Sequence, residues 1–261
     1  MRFSTLASSS SGNSTLVSQG GEHILIDAGI SCRRILAALS ALGAEPAGLA
    51  GILVTHEHDD HISGLASLCR KTGVAVYAPQ GVAEGILERF PDAEIPVRVI
   101  ESGVPFTVGP FSVRAFHTSH DVRESVGYRL SAGGCSMALA TDLGCVTDEV
   151  LQALAGVNAA VLEANHDPEM LKYGPYPSVL KKRIASDRGH LSNRVCGRLA
   201  GLLYETGTAS FVLAHLSHEN NTPELARAAV EAGLTAAGAV PGHTASVYVA
   251  PRAHVGETVE V

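Results

Sequence analysis

The chain of 261 residues contains no tryptophan and only six tyrosines and six phenylalanines, so it has few flat rings on which nucleobases could stack. Recognition of a polymer by reading its bases is therefore disfavoured against recognition of a backbone. No apolar run approaches the roughly 20 residues that a bilayer span requires. Arg2 is followed by serines rather than by an apolar core, so no secretory leader is expected and the compartment expected is the cytoplasm. The five cysteines (Cys32, Cys69, Cys135, Cys145, Cys196) include no C-x-x-C pair, which in a reducing compartment means buried or idle thiols rather than a disulfide frame. A formal net charge of -7 excludes a polycation that binds nucleic acid over its whole surface. Neither a long linker nor an internal repeat divides the chain.

What is present is a chain rich enough in apolar residues, at 46%, for a full core. Short β-like runs (among them Ile24 to Ile26, Ile52 to Val54, Phe111 to Phe116, Met137 to Ala140, Ala159 to Leu162 and Ser210 to Ala214) alternate with helical patterns. The helices are expected at Arg33 to Leu42 behind a Ser31 cap, Ile62 to Thr72 closed by Gly73, Gly81 to Phe90, Asp148 to Ala155, Ser192 to Tyr204 and Pro223 to Ala232. Near-continuous apolar strands mixed with helices predict a layered α/β architecture, and residues 1–261 read as one domain. Gly103 to Pro110 and Gly174 to Pro177 read as loops. One stretch departs from the acidic balance: residues 181–198 carry Lys181, Lys182, Arg183, Arg188, Arg194 and Arg198 against the single acid Asp187. That is either a solvated face or a local basic patch.

The most informative stretch is Gly51-Ile-Leu-Val-Thr-His-Glu-His-Asp-Asp-His-Ile-Ser-Gly64. A β-run leads into His56, His58, Asp60 and His61, and a helical pattern begins at once. Residues two apart at a strand end point the same way, so His56 and His58 can reach one cation together. Asp60 keeps that parity while His61 turns with the helix, which lets the cluster serve two neighbouring ions. Imidazole and carboxylate suit zinc, manganese or iron, so the expected cofactor is a pair of divalent cations, zinc or manganese with iron as a third option. Further ligands must come from elsewhere. His117 and His120, Asp142 and His215 each follow an apolar run, where α/β sheets place their sites, although position alone leaves each of them equally a cap or a surface residue.

His56-x-His-x-Asp-His61 resembles the signature of the metallo-β-lactamase fold, an αββα sandwich of two mixed sheets flanked by helices. Leu6-Ala-Ser-Ser-Ser-Ser-Gly-Asn-Ser-Thr-Leu-Val17, Glu163-Ala-Asn-His-Asp167, Gly189-His-Leu-Ser-Asn193 and His215-Leu-Ser-His-Glu-Asn-Asn221 together resemble the WalJ/YycJ group within it. That group is known for metal-dependent 5′→3′ exonuclease activity and is related to ribonuclease Z. The resemblance implies a first metal on His56, His58 and His120, a second on Asp60, His61 and His215, and Asp142 bridging them. It favours His120 over His117 because of the following Gly127-Tyr128. It also implies that His190 faces the scissile phosphate, with Glu163 orienting it, and that Asp60 doubles as a proton relay.

The expected reaction is hydrolysis of a phosphodiester by water acidified between two cations, with nucleic acid as the substrate and DNA favoured. Ser10 and Asn13 in the serine-rich turn, Asn165, His190, and Lys182 and Arg194 in the basic stretch are the candidate substrate-binding residues. A small-molecule hydrolase of the same fold, acting on a cyclic phosphodiester, lactone or thioester, stays as the alternative. A metal-binding protein without activity ranks behind both, because the set of candidate ligands is complete.

Overall fold

The computed structural model describes residues 1–261. In chain order it contains β1 (Arg2–Ser9), β2 (Gly12–Gln19), β3 (Glu22–Ile26), α1 (Cys32–Ala41), β4 (Leu49–Leu53), α2 (Asp59–Ile62), α3 (Leu65–Thr72), β5 (Val76–Ala78), α4 (Gln80–Arg89), β6 (Val97–Val99), β7 (Phe106–Val108), β8 (Phe111–His117), β9 (Val126–Ala132) and β10 (Cys135–Ala140). Then follow α5 (Asp148–Leu154), β11 (Ala159–Glu163), α6 (Pro168–Tyr173), α7 (Ser178–Ile184), α8 (Asn193–Glu205), β12 (Ser210–Ala214), α9 (Pro223–Ala236), β13 (Ser246–Val249) and β14 (Val259–Glu260). The first sheet runs β14-β1-β2-β3-β4-β5-β6 and the second β13-β12-β11-β10-β9-β8-β7. Both are mixed: antiparallel hairpins at β1 to β3 and β7 to β10 pass into parallel runs at β3 to β6 and β10 to β13.

Local chemistry explains the helix ends. The Ser31 hydroxyl accepts from the Arg34 amide 3.4 Å away at the start of α1, and Gly73, at φ 69°, closes α3 in the left-handed conformation. Three apolar clusters fill the layers. One lies between the sheets and holds Phe3, Phe111 and Tyr128. The other two seat α1, α3 and α4 on the first sheet and α5, α8 and α9 on the second. This is the αββα sandwich of two mixed sheets expected from the sequence.

Several boundaries differ from expectation. The helix foreseen from Ile62 breaks at Ser63-Gly64 into α2 and α3, because the Gly64 amide turns aside to the Ala28 carbonyl, 2.8 Å away. The segment Gly103 to Pro110, expected as a loop, contains β7, which pairs with β8 as the edge of its sheet. Strands β13 and β14 and helices α6 and α7 were also unforeseen: none is longer than seven residues, too short for a period to show. The serine-rich stretch is mostly strand. β1 runs on through Ser9 and β2 begins at Gly12, so only Ser10 and Ser11 form the turn.

The sheets are joined along one edge. The Tyr128 hydroxyl donates to the Val54 carbonyl at 2.7 Å and the Val126 amide to the Thr55 carbonyl at 3.0 Å. These bonds bind the second sheet to the residues that directly precede His56.

Candidate metal centre

Beyond β4 the chain bends at Thr55 and runs on to His58, which caps α2, and this brings His56, His58, Asp60 and His61 to the joined edge. His56 and His61 are fully buried, with ring centroids 4.0 Å apart. The long excursion between β8 and β9 delivers His120 from the other sheet, with ring centroids 5.1 Å from His56 and 5.3 Å from His58. The ligand atoms of His56, His58 and His120 all lie within 4.8 Å of one another, as do those of Asp60, His61 and His215. Asp142 lies between the two groups, with Oδ2 3.3 Å from His61 Nε2 and Oδ1 3.9 Å from His120 Nε2. His117 is not among them: it is exposed and held by Glu149 at 3.2 Å.

Two atoms in this cluster test whether a cation fits. His215 Nε2 and Asp142 Oδ2 are buried without a hydrogen-bond partner, Asp142 Oδ2 facing His61 Nε2 without the alignment of a bond. A buried polar atom left unpaired costs about 1–3 kcal/mol, so two of them on the inner surface of one cluster point to a ligand that both accept. The donors are imidazole nitrogens and carboxylate oxygens, the set that divalent zinc, manganese and iron take. The residues fit a pair of such cations.

Two buried carboxylates set the directions of the rings. Asp27, directly after β3, accepts from the Thr55 amide at 2.8 Å and from His61 Nδ1 at 2.8 Å, which leaves His61 Nε2 for the cluster. Glu163, at the end of β11 and fully buried, accepts from the Leu143 and Leu191 amides and from both His215 Nδ1 (2.8 Å) and His190 Nδ1 (2.9 Å). Imidazoles held in this way are fixed in tautomer and orientation. Asp27, Asp142 and His215 are the three residues other than glycine with positive φ, at 62°, 56° and 56°. All three stand just past strand ends at this edge, which is backbone strain gathered at one site.

Charge follows the geometry. Burial alone would discharge His61 and His215, but Asp27 and Asp142 beside the first, and Asp142, Asp60 and Glu163 beside the second, outweigh it and hold both pKa values well above the ordinary imidazole range. Burial would likewise raise Glu163, yet His190 and His215 bring it down to about 2. His56, whose desolvation is reinforced by charged His61, falls well below its usual value.

The remaining candidates divide. His190 and Asn165 come to the edge together with Ser10, lining a pocket of about 160 Å³ that His215 and Tyr176 also line. Asn165 donates to the His215 carbonyl at 2.9 Å. Asn13 faces inward rather than into that pocket: its amide lies 3.1 Å from Asp60 Oδ2 and 3.1 Å from His61 Nε2. Gly12 and Gly29 make this possible, since a Cβ on Gly12 would stand 2.5 Å from Ile30 Cγ2 and one on Gly29 1.7 Å from the Asp60 carbonyl. Lys182 and Arg194 are exposed and line no part of the pocket. Within the basic stretch, Arg183 pairs with Asp121 at 2.5 Å and Arg188 donates to the His120 carbonyl at 3.0 Å, so these two are structural ties.

Sequence reasoning missed Asp27 and Ser8. Asp27 stands after an apolar strand, the same signal that singled out Asp142 and His215. Ser8, whose hydroxyl accepts from the His215 amide at 2.8 Å, carries no local signal.

A model of the beta-lactamase superfamily domain matches residues 22–216. The exodeoxyribonuclease YycJ of Bacillus anthracis is 36% identical over 251 residues, which span 95% of this chain and 94% of that protein. The exodeoxyribonuclease WalJ of Streptococcus pneumoniae strain R6 is 36% identical over 230 residues, 86% of this chain and 85% of that one. Among solved structures, the metallo-beta-lactamase fold protein YhfI of Bacillus subtilis superposes over 100% of this chain and 99% of its own with a TM-score of 0.77; at 17% identity this likeness concerns the fold.

Proposed function

Because the chain belongs to the beta-lactamase superfamily, and within it to the group of YycJ and WalJ, we propose that it is a metal-dependent 5′→3′ exonuclease that hydrolyses phosphodiester bonds of DNA. The observation that carries this reading is the pair of ligand groups joined through Asp142, with His215 Nε2 and Asp142 Oδ2 left without protein partners. His56, His58 and His120 would hold one divalent cation, and Asp60, His61 and His215 the other, with Asp142 shared. When bound, two such cations acidify water to a pKa of ~7 and neutralise charge that develops on phosphoryl oxygens.

The protein's own groups do the rest. Glu163 occupies His190 Nδ1, so Nε2 is the ring nitrogen left to bond a phosphoryl oxygen or to hand a proton to the leaving oxygen. Burial would lower the His190 pKa, but Glu163 more than offsets it and raises it, as a proton donor requires. Burial would raise the Asp60 pKa, but His61 and His215 outweigh it and hold its carboxyl far below the usual range, so it is ionised as a ligand must be, and the relay of a proton remains its second proposed role. Ser10 and Asn165 line the pocket beside His190, and Lys182 and Arg194 add sequence-independent attraction for a polyanion.

We read residues 1–261 as one domain, since ligands from both sheets build a single cluster. No helix is long and apolar enough to cross a membrane, and we place the protein in the cytoplasm. DNA is favoured because the relatives above are named exodeoxyribonucleases; zinc and manganese are the favoured metals. The test gives metal-loaded protein end-labelled, 5′-phosphorylated DNA and RNA alongside a small phosphodiester, with His58→Ala as control. Stepwise shortening of DNA from the 5′ end, lost in His58→Ala, is expected. Cleavage of the small ester alone, or equal polymer cleavage by the control, would overturn the reading.

A further inference from the structure

Between Glu163 and His190 the chain leaves the metal edge, forms α6 and α7, and returns to within 2.9 Å of its starting point, the distance from Glu163 Oε1 to His190 Nδ1. An excursion with both ends on the reactive edge is a surface that leads to it. The arm is tied down at defined points. Asp167 caps α6, Lys181 Nζ reaches back to the Lys172 carbonyl at 2.9 Å, and Arg183 at the end of α7 pairs with Asp121, the neighbour of His120.

Its outer surface has what the rest of the molecule lacks. Tyr173 is 74% exposed and Val179 81%, the two most exposed large apolar side chains of the protein. Tyr176, between the helices, lines the pocket that holds His190 and His215. Thus two of only six tyrosines stand on this one arm, Tyr176 at the pocket and Tyr173 three residues before it at the end of α6. Around them lie Lys172, whose ammonium sits 4.8 Å from the Tyr173 ring centroid, and Lys181 and Lys182 on α7. On a protein of net charge -7, this arm carries Lys172, Lys181, Lys182, Arg183 and Arg188 against Asp167, Glu169 and Asp187, and such a cationic excess beside open aromatic rings is complementary to a polyanion that also presents flat, apolar faces.

We propose that the 164–189 arm is the docking surface for a nucleic-acid strand with unpaired bases, which stack on Tyr176 at the pocket and on Tyr173 further out while Lys172, Lys181 and Lys182 follow the backbone. The inference rests on the nuclease reading and specifies it: the segment of substrate beside the metals is single-stranded, either by nature or by fraying of a duplex end. Stacking accepts every base, so the arm confers strandedness without sequence preference.

The test uses metal-loaded protein and phosphorothioate oligonucleotides that resist cleavage, with binding read by fluorescence anisotropy. One strand carries thymines throughout and a second, of equal length, is abasic. Tyr173→Ser and Tyr176→Leu should each weaken binding of the thymine strand roughly tenfold while changing the abasic strand less than twofold. Lys182→Gln should weaken both strands alike and lower the salt slope by about one. Thermal melting of Tyr173→Ser, at a position open to solvent, checks that the fold is kept.

Equal effects of the tyrosine variants on both strands, no effect on either, or no binding by the unaltered protein would overturn the proposal. So would a homodimer that Tyr173→Ser dissociates, because a second copy would then own the surface. Failure of the nuclease reading looks different: unmodified DNA and RNA then remain intact whatever the arm binds.

Discussion

Asp27 and Glu163 occupy equivalent places in the two sheets and do unequal work. Each is buried at the end of a strand, accepts from main-chain amides (one for Asp27, two for Glu163), and takes the Nδ1 proton of a histidine at 2.8 Å. Asp27 serves one ring, His61, and both are tied to Thr55, two residues past the end of β4. Glu163 serves two, His215 of the cluster and His190 in the pocket, so on the second sheet one carboxylate couples proposed metal binding to proposed proton transfer. The difference teaches that the first sheet supplies a compact, locally braced half-site, whereas the second supplies a half-site assembled from four separate segments around one hub.

Removing a ring from each half strains this contrast most. His61→Ala and His215→Ala should each abolish one of two bound metals and lower nuclease turnover by at least about 10³-fold, as expected when transition-state charge loses its partner. Metal content per chain and single-turnover rates measure both. His61→Ala should be the more damaging to stability, because it takes the one ring from buried Asp27, whereas Glu163 keeps His190 after His215→Ala; loss of the partner from a buried ionic pair costs about 3–5 kcal/mol. Equal melting temperatures for the two variants would erase the asymmetry.

Substituting the carboxylates themselves sharpens it. Asp27→Asn and Glu163→Gln should each weaken metal affinity roughly 10–100-fold, the usual effect of losing the group behind a ligating histidine. Only Glu163→Gln should also change the pH profile. With the carboxylate charge gone and burial remaining, the His190 pKa falls, so the alkaline limb of kcat moves to lower pH. An unmoved limb would show that His190 is not the proton donor.

Chelation is the next test in size. Metals bound a hundredfold above their dissociation constants stabilise by about 2.7 kcal/mol per site, so stripping them should lower the melting temperature by several degrees. Smaller still is the basic stretch, where Lys182→Glu with Arg194→Glu should weaken polymer binding and flatten its salt dependence. Asn13→Ala is the smallest. Its amide donates to Asp60, so affinity at that site should fall severalfold, on the scale of one net hydrogen bond of about 1 kcal/mol, while the other metal is unaffected.

Legibility in the sequence followed the same division between sheets. His56, His58, Asp60 and His61 lie within six residues, and strand parity alone places them about one or two ions. His120, Asp142, Glu163, His190 and His215 are spread over nearly a hundred residues, and taken alone each is an ordinary polar residue at a strand end. Only the resemblance of their flanking motifs gathered them. The serine-rich stretch changed meaning most. As a sequence it reads as a loop toward substrate; folded, Ser8 fixes the His215 backbone and Asn13 fixes Asp60, so one hairpin braces both halves.

The sequence by itself determined the layered α/β class, the strand-to-helix position of the histidine cluster and the kind of cation it suits, because apolar periodicity and ligand chemistry act between near neighbours. Only the tertiary structure decided that Asp27 braces His61, that Glu163 holds His215 as well as His190, and that the 164–189 arm presents Tyr176 beside the cluster. Those depend on how two sheets meet along one edge, and the meeting is set by packing across the whole interlayer core rather than by any local run of residues.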